Sequence, residues 1–518
     1  MGLWDLVRRP KSLPITALLL GETEDELVDN SQCALLQLPP EIIDQILKHL
    51  QCPSLVSLSR TSKLLRLHAE NDLLWASLLR AQLPRADFPE SPSPAESYRS
   101  LYTSHHPYWY LAKHKIWFSD DAHTGKIILV KFDQRRGCIE GYRLVADRRE
   151  PDFIAWPYNP DVIIHTFDPR PTLWIDDPVL KLEQDPVIAR NRQGWWDDEI
   201  QMSTVAASHN IFSTFFLTRA IPEQLVNKSM ELWPPLTIPG MPRVRNSSND
   251  NFQGWGHKPQ KFDEISETTF RLRKWIQFSV GGSNFGVRMG DEVSTWSTLA
   301  PELYTPTSKK PYQGIFVGDY SGHGCEFLLV MQTDKAPDPP PQNPQSQYYH
   351  TRSMMLALAQ NENQIPPHQI QTLPPTNRDN EYDALRGGDE GIFRGSIEAI
   401  KLTGDPFVPR GEHTFVADDI GAAGFIRVAQ EAPFQGARVV KCRGHVAARG
   451  FREGESRSNT LQHYFTYVEF SDEFVPSQLL MISHDRLAQY WLPFGHISFY
   501  ERVDIDQLLA TCLDQNSR

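Results

Sequence analysis

LPPEIIDQILKHLQCPSLVSLSRTSKLLRLHAENDLLWASLL, residues 38–79, decides how the rest of the chain is read. Leu38, Ile42, Ile43, Ile46, Leu47 and Leu50 recur at the spacing of one helical face. Pro39 and Pro40 sit where a first helical turn tolerates missing amides, so they mark a helix start. Cys52-Pro-Ser54 breaks that helix, and Ser54 is placed to cap the next one. Two more short helices are expected from about Ser62 and about Asp72, the last carrying Leu74, Trp75, Leu78 and Leu79. About fifty residues of compact helices supply only a few kcal/mol by themselves. These helices carry apolar residues on more than one face, so the surplus needs a partner.

Outside this stretch the chain has 518 residues, enough for two or three domains. Hydrophobic residues at 40% allow a real core, while 40 prolines and 30 glycines imply many turns. The 13 Trp, 16 Tyr and 26 Phe suit a β-rich fold. A formal net charge of −12 with no long Lys/Arg block argues against a nucleic-acid binder. The six cysteines (33, 52, 138, 325, 442 and 512) form no C-x-x-C pair. That scatter argues against a zinc module or a disulfide framework and fits the cytosol or nucleus. The apolar stretch 15–20 is too short for a membrane span and poorly flanked for a signal peptide.

Residues 1–33 mix charges without a period and read as a flexible lead. Residues 84–104 read as a linker, opening with the Pro-rich joint 84–97. The crowded aromatics that follow suit the beginning of a second domain, and His105 and His106 suit a loop or core better than a metal site. Beyond Lys115 the pattern turns strand-like. Segments 126–132 and 138–145 flank Asp133-Gln-Arg-Arg-Gly137, a hairpin signal. Residues 161–167 form an apolar run rich in β-branched residues. Phe270, Leu272, Ile276 and Phe278 alternate with Arg271, Arg273 and Gln277, as in a half-buried strand. Segment 336–375, with nine prolines and seven glutamines, cannot bury enough apolar surface to order itself, save for a short helix near 353–360. Short strands are then expected at 392–402, 413–416, 424–429, 437–446, 464–470, 478–483, 488–492 and 497–503. Their regular spacing means an antiparallel sandwich or barrel, and a barrel also removes open edges.

Chemical motifs are sparse. In GIFVGDYSGHGCE (314–326) Asp319 stands where a nucleophile elbow needs glycine before Ser321. Cys325 near His323 has no orienting acid that the sequence can assign. The glycines there fit a strand, a tight turn and a second strand. Gly281-Gly-Ser-Asn-Phe-Gly286 lacks the Gly-Lys-Ser/Thr ending of a phosphate loop. Neither motif makes an active site, so no catalytic residue, metal or cofactor is expected.

The order Leu-Pro-x-Glu-Ile-Ile (38–43), Ile-Leu-x-x-Leu (46–50), Leu-x-x-Leu-Ser (55–59), a Lys-x-x-Arg region and Leu-Trp (74–75) resembles an F-box. The resemblance implies docking on the Skp-family adaptor of a cullin-RING (SCF) ubiquitin ligase. Leu38, Pro39, Ile42, Ile43, Ile46, Leu50, Leu55, Leu58, Leu74 and Trp75 would then supply the adaptor-facing and packing surface. Three further blocks, GIFVGDYSGHGCEFLLV, IEAIKLTGDPFVPRGEHTFVADD and QLLMISHDRLAQYWLPFGHISFYERVD, resemble the C-terminal region of F-box-only protein thirty-one relatives, fungal ones included. That likeness covers roughly 311–504 and implies a β-barrel-like domain that captures protein substrates. Tyr320, His323 and Glu326 carry its shared core, and with Arg427 they are the candidate substrate-binding residues.

The expected architecture is α+β and multi-domain. A small helical F-box (34–83) precedes a large, mostly antiparallel β-barrel-like domain (105–506) with long disordered insertions at about 236–262 and 334–380, and 507–518 is a tail. The expected function is a non-catalytic substrate receptor of an SCF ligase, with adaptor, cullin and RING as partners, in the cytoplasm or nucleus. An F-box interaction protein outside any ligase, and an F-box-fused enzyme, are the alternatives.

Overall fold

The structure, a computed structural model, describes residues 33–84, 87–121, 124–148, 150, 152–166, 168–183, 199–202, 210–219, 258–259, 261–279, 286–319, 324–334, 392–404, 408, 410–446 and 473–515. The expected lead, almost all of both insertions, the helix near 353–360, the strand at 464–470 and the glycine run 281–285 lie outside them.

Four helices open the described chain: α1 (Pro40–Leu47), α2 (Cys52–Leu58), α3 (Lys63–Ala69) and α4 (Asp72–Gln82). Pro40 takes the first turn of α1, as the sequence predicts. Helix α2 starts earlier than expected, with Gln51 as its N-cap and Ser54 inside the helix. Pro53 fills a first-turn position there, so the proline that reads as a breaker also starts the helix. Ser62 and Asn71 cap α3 and α4, their side chains accepting from the amides of Leu65 (3.2 Å) and Leu73 (3.1 Å). Asp44 then ties α1 to both caps' neighbourhood, taking His68 Nδ1 at 2.8 Å and Asn71 Nδ2 at 3.0 Å.

Two more helices follow, α5 (Tyr98–His105) and α6 (Tyr110–His114). The expected linker 84–104 therefore ends too late. Ser97 caps α5 from its own side chain, and Leu101 and Tyr102 are buried against Trp75 and Trp109. His105 is a core residue, its Nε2 at 2.9 Å from the Gly137 carbonyl, and His106 is buried beside it.

The strands form two sheets. The first, nine-stranded, comprises β1 (Ile116–Ser119), β2 (Ile127–Asp133), β3 (Cys138–Arg148), β6 (Pro169–Trp174), β7 (Leu180–Glu183), β8 (Ile200–Gln201), β9 (Ile211–Arg219), β10 (Ile265–Ser279) and β11 (Gly286–Ser297). The second, eleven-stranded, holds β4 (Phe153–Trp156), β5 (Asn159–His165), β12 (Gly314–Asp319), β13 (Cys325–Thr333), β14 (Ser396–Lys401), β15 (His413–Ala417), β16 (Phe425–Val428), β17 (Arg438–Val446), β18 (Glu473–Met481), β19 (Arg486–Trp491) and β20 (His496–Arg502). In it β12, β13, β14, β15, β17, β18, β19 and β20 run in order, and β12 pairs back onto β20, closing an eight-stranded barrel. The pairing is antiparallel except where β5 runs parallel to β20.

The β2–β3 hairpin forms as expected, turning through Gly137 at φ +60°. Strand β10 keeps its alternation only in part. Phe270 and Leu272 are buried, but Ile276, beyond a register shift against β11 between Lys274 and Ile276, is exposed. Arg271, expected outward, is buried, its Nε bonded to Thr295 Oγ1 at 3.1 Å.

Burial sorts these parts into layers. Ile128, Val130 and Phe132 of β2 face the helices and pack with Trp75, Leu79, Trp109 and Trp117. Ile127 and Leu129 of the same strand face the barrel wall, meeting Ile315, Val317, Leu329 and Val439. A sheet covered on both faces explains why β2 reads IILVKFD, a continuous run rather than an alternation. A third core, with Phe316, Leu328, Val330, Phe415 and Leu479, fills the barrel. The last described residues form helix α7 (Ile505–Gln515) rather than the expected tail from 507, and Leu509 is buried in the core between sheet and barrel.

Candidate functional site

The helical surplus is divided between two destinations. Trp75 and Leu79 pass from the four-helix unit into the core shared with α5, α6 and the first sheet. A separate small core holds Ile43, Leu47, Leu55, Leu65 and Leu74. What remains outward is one face of α1 and its lead-in: Leu38, Ile42 and Ile46 are 36%, 45% and 40% exposed. Ile42 and Ile46, four apart on α1, stand one above the other, and with Leu38 just before the helix they make an apolar stripe.

The ten residues expected at the adaptor surface therefore separate. Leu38, Pro39, Ile42 and Ile46 are open to a partner, and Leu50 and Leu58 are half-buried. Ile43, Leu55, Leu74 and Trp75 are about 1% exposed and pack inside. Trp75 also donates its indole N–H to the Ala69 carbonyl at 2.8 Å. Sequence reading misses Leu64, Leu67 and Leu73, which are exposed. Their leucine neighbours Leu65 and Leu74 are buried, and nothing in a Leu-Leu pair alone tells one from the other.

The barrel supplies the second region. Strands β12 and β13 pair from Gly314↔Val330 to Asp319↔Cys325, and Gly324, just before β13, takes φ +86°, as the glycine reading predicts. Tyr320 and His323 lie outside the described residues. Glu326 is buried in an ion pair with Lys401 at 2.6 Å. Arg427 lies on the outer side, on β16 opposite Val439. Its guanidinium grips Glu431 at 2.9 and 2.6 Å and stacks 4.6 Å over the Tyr158 ring. Burial would raise Glu431, but the Arg427 hydrogen bonds win and hold its carboxyl low. Glu326 and Arg427 thus work in different places, one inside the barrel and one on its wall.

Near the β12–β13 turn, His165 Nε2 lies 3.3 Å from Asp319 Oδ2, both buried, with the His496 ring 5.8 Å from His165. Burial lowers the pKa of His496 and His165 lowers it further, against the pull of Asp319. A cleft of about 600 Å³ opens beside this group, lined among others by Ile154, Asp319, Pro433 and Phe499. Among the described residues no group of three His, Cys, Asp or Glu side chains could hold a metal ion. Among them, too, no helix is long and apolar enough to cross a membrane.

Comparison with known families places names on the same two regions. Residues 35–81 match the F-box-like family, so the helical unit is an F-box-like domain. Residues 296–507 match the Cyclin D1 binding domain family, a span that begins at the end of β11 and takes in the whole barrel and the start of α7. No curated protein matches the chain.

Proposed function

We propose that this chain is a substrate receptor of an SCF ubiquitin ligase, acting in the cytosol or nucleus. The stripe of Leu38, Ile42 and Ile46 docks on the Skp-family adaptor, which joins the chain to cullin and RING. The barrel holds a protein target, and the Cyclin D1 binding domain match points to a cyclin of the D1 type. The likeness of the barrel sequence to F-box-only protein thirty-one relatives supports the same assignment. The chain contributes no covalent step; holding a target lysine near charged ubiquitin raises its effective concentration.

The observation that carries this reading is the division of the F-box-like domain's apolar surface. Its rear is consumed by the core shared with the β sheet, and its front is left bare. One face anchors the target-binding half, and the other is free for the adaptor. Reconstitution with adaptor, cullin, RING, activating and conjugating enzymes and a D1-type cyclin tests it. Ubiquitin chains on the cyclin should require this chain and vanish with Ile42→Asp/Ile46→Asp. Equal modification without the chain would refute the proposal.

A further inference from the structure

Strand β4 ends the second sheet, and β5 is its neighbour among the described strands. Thr166 N donates to Asp152 O at 2.9 Å, while Ile163 N points the other way, to Gly495 O at 2.8 Å. In an antiparallel pair, facing residues alternate between bonded and non-bonded. Phe153 and Ala155, which face His165 and Ile163, therefore turn their amides and carbonyls to the open edge. The strand is short and stands between Asp152 and Pro157, as edges that avoid promiscuous pairing do, yet it shows Phe153 and Ile154 at 59% and 51% exposure. Phe153 lies flat on the His165 ring at 4.8 Å, and Ile154 reaches the 600 Å³ cleft beside it.

The charge lining the cleft is one-sided. Four carboxylates line the cleft, Glu150, Asp152, Asp168 and Asp319, against a single guanidinium, Arg486. Glu150, Asp152 and Asp168 are exposed, and the whole chain is at −12. An acidic extended segment would be repelled here, and a basic one is attracted.

We propose that β4 is a docking edge for an extended, Lys/Arg-bearing segment of a partner protein. The segment adds as a further strand, its backbone bonding to Phe153 and Ala155. Alternate side chains lie beside Phe153 and over the cleft at Ile154, and its cations meet Glu150, Asp152 and Asp168. Backbone bonds give such an addition its affinity, and side-chain sites give it specificity. The inference rests on the receptor reading only in making this partner a ligase target.

The test uses the full chain and two fluorescein-labelled eight-residue peptides, one alternating Lys with Val and one alternating Glu with Val. Fluorescence anisotropy should show the Lys peptide binding at least about tenfold more tightly than the Glu peptide. That preference should shrink between about 0.05 M and about 0.3 M salt, as surface charges are screened. Ala155→Pro removes an edge amide and should weaken the Lys peptide about tenfold. Glu150→Gln/Asp152→Asn/Asp168→Asn should do the same while leaving every backbone bond in place, and it decides the matter if the proline variant does not fold. The two peptides binding alike, no binding of the Lys peptide, or wild-type binding by the triple variant would overturn the proposal. Adaptor capture by the same preparations reports separately on the receptor reading.

Discussion

Lys401 Nζ lies 2.6 Å from Glu326 Oε2 inside the barrel, with side chains only 2% and 4% exposed. Lys401 stands directly across from Leu328, whose side chain belongs to the barrel's inner core. A buried pair of this kind is costly to break and cheap to replace whole, because removing one partner strands the other charge. Lys401→Met should destabilise the chain by about 3–5 kcal/mol in urea denaturation. Lys401→Met/Glu326→Leu should recover most of that loss. A single variant as stable as the double would show that water reaches the pair.

Gly444 marks a tight point of the same interior. A Cβ added there would lie 2.4 Å from the Trp491 ring and 2.5 Å from Gln489 Nε2. Gln489 is already held, accepting from Tyr500 Oη at 2.9 Å and donating to Ser477 Oγ at 3.2 Å. Gly444→Ala should therefore cost about 1–3 kcal/mol, as overpacking does. Thermal melting of the full chain checks it, and an unchanged melting temperature would contradict so close a fit around Gly444.

His114 gives the chain a defined acid sensitivity. Burial holds its imidazole down to about 4 from the ordinary 6.5, and Lys113 pushes the same way. Between those values the unfolded chain takes a proton that the folded chain refuses. The stability at stake is therefore complete above about pH 6.5 and is lost as pH falls towards 4. The urea midpoint should drop from about pH 7 to about pH 5, and the drop should be smaller in His114→Gln. Parallel pH profiles for the two proteins would contradict this role for His114.

The sequence discloses much of this fold, for reasons visible residue by residue. Ser62 and the neighbourhood of Asp72 announce helix starts because caps are local chemistry. The glycines from 314 to 324 announce a hairpin, and the spacing of short strands after 392 announces a closed sheet. What stays hidden depends on long-range packing. A register shift interrupts the β10–β11 pairing between Lys274 and Ile276, and no local pattern signals it. Leu509 looks like part of a polar tail until the sheet and barrel supply its socket.

The candidate surfaces show the same limit. Helical spacing finds Ile42, Ile43 and Ile46 together, but only the packed unit shows that Ile43 is sealed while the other two are bare. For Glu326, the partner Lys401 is 75 residues away in the chain, and only barrel closure brings the two together.

Everything proposed for the F-box-like domain depends on the bare stripe of α1 meeting the adaptor. The direct measurement is a calorimetric titration of a purified Skp-family adaptor into the full chain and into Ile42→Asp/Ile46→Asp. Both residues are surface-exposed, so circular dichroism of the variant should match that of the wild type. The wild type should bind, and the variant should lose at least about 2 kcal/mol for each anchor removed. Absence of binding by the wild type, or equal affinity of the two, would contradict a docking role for the stripe.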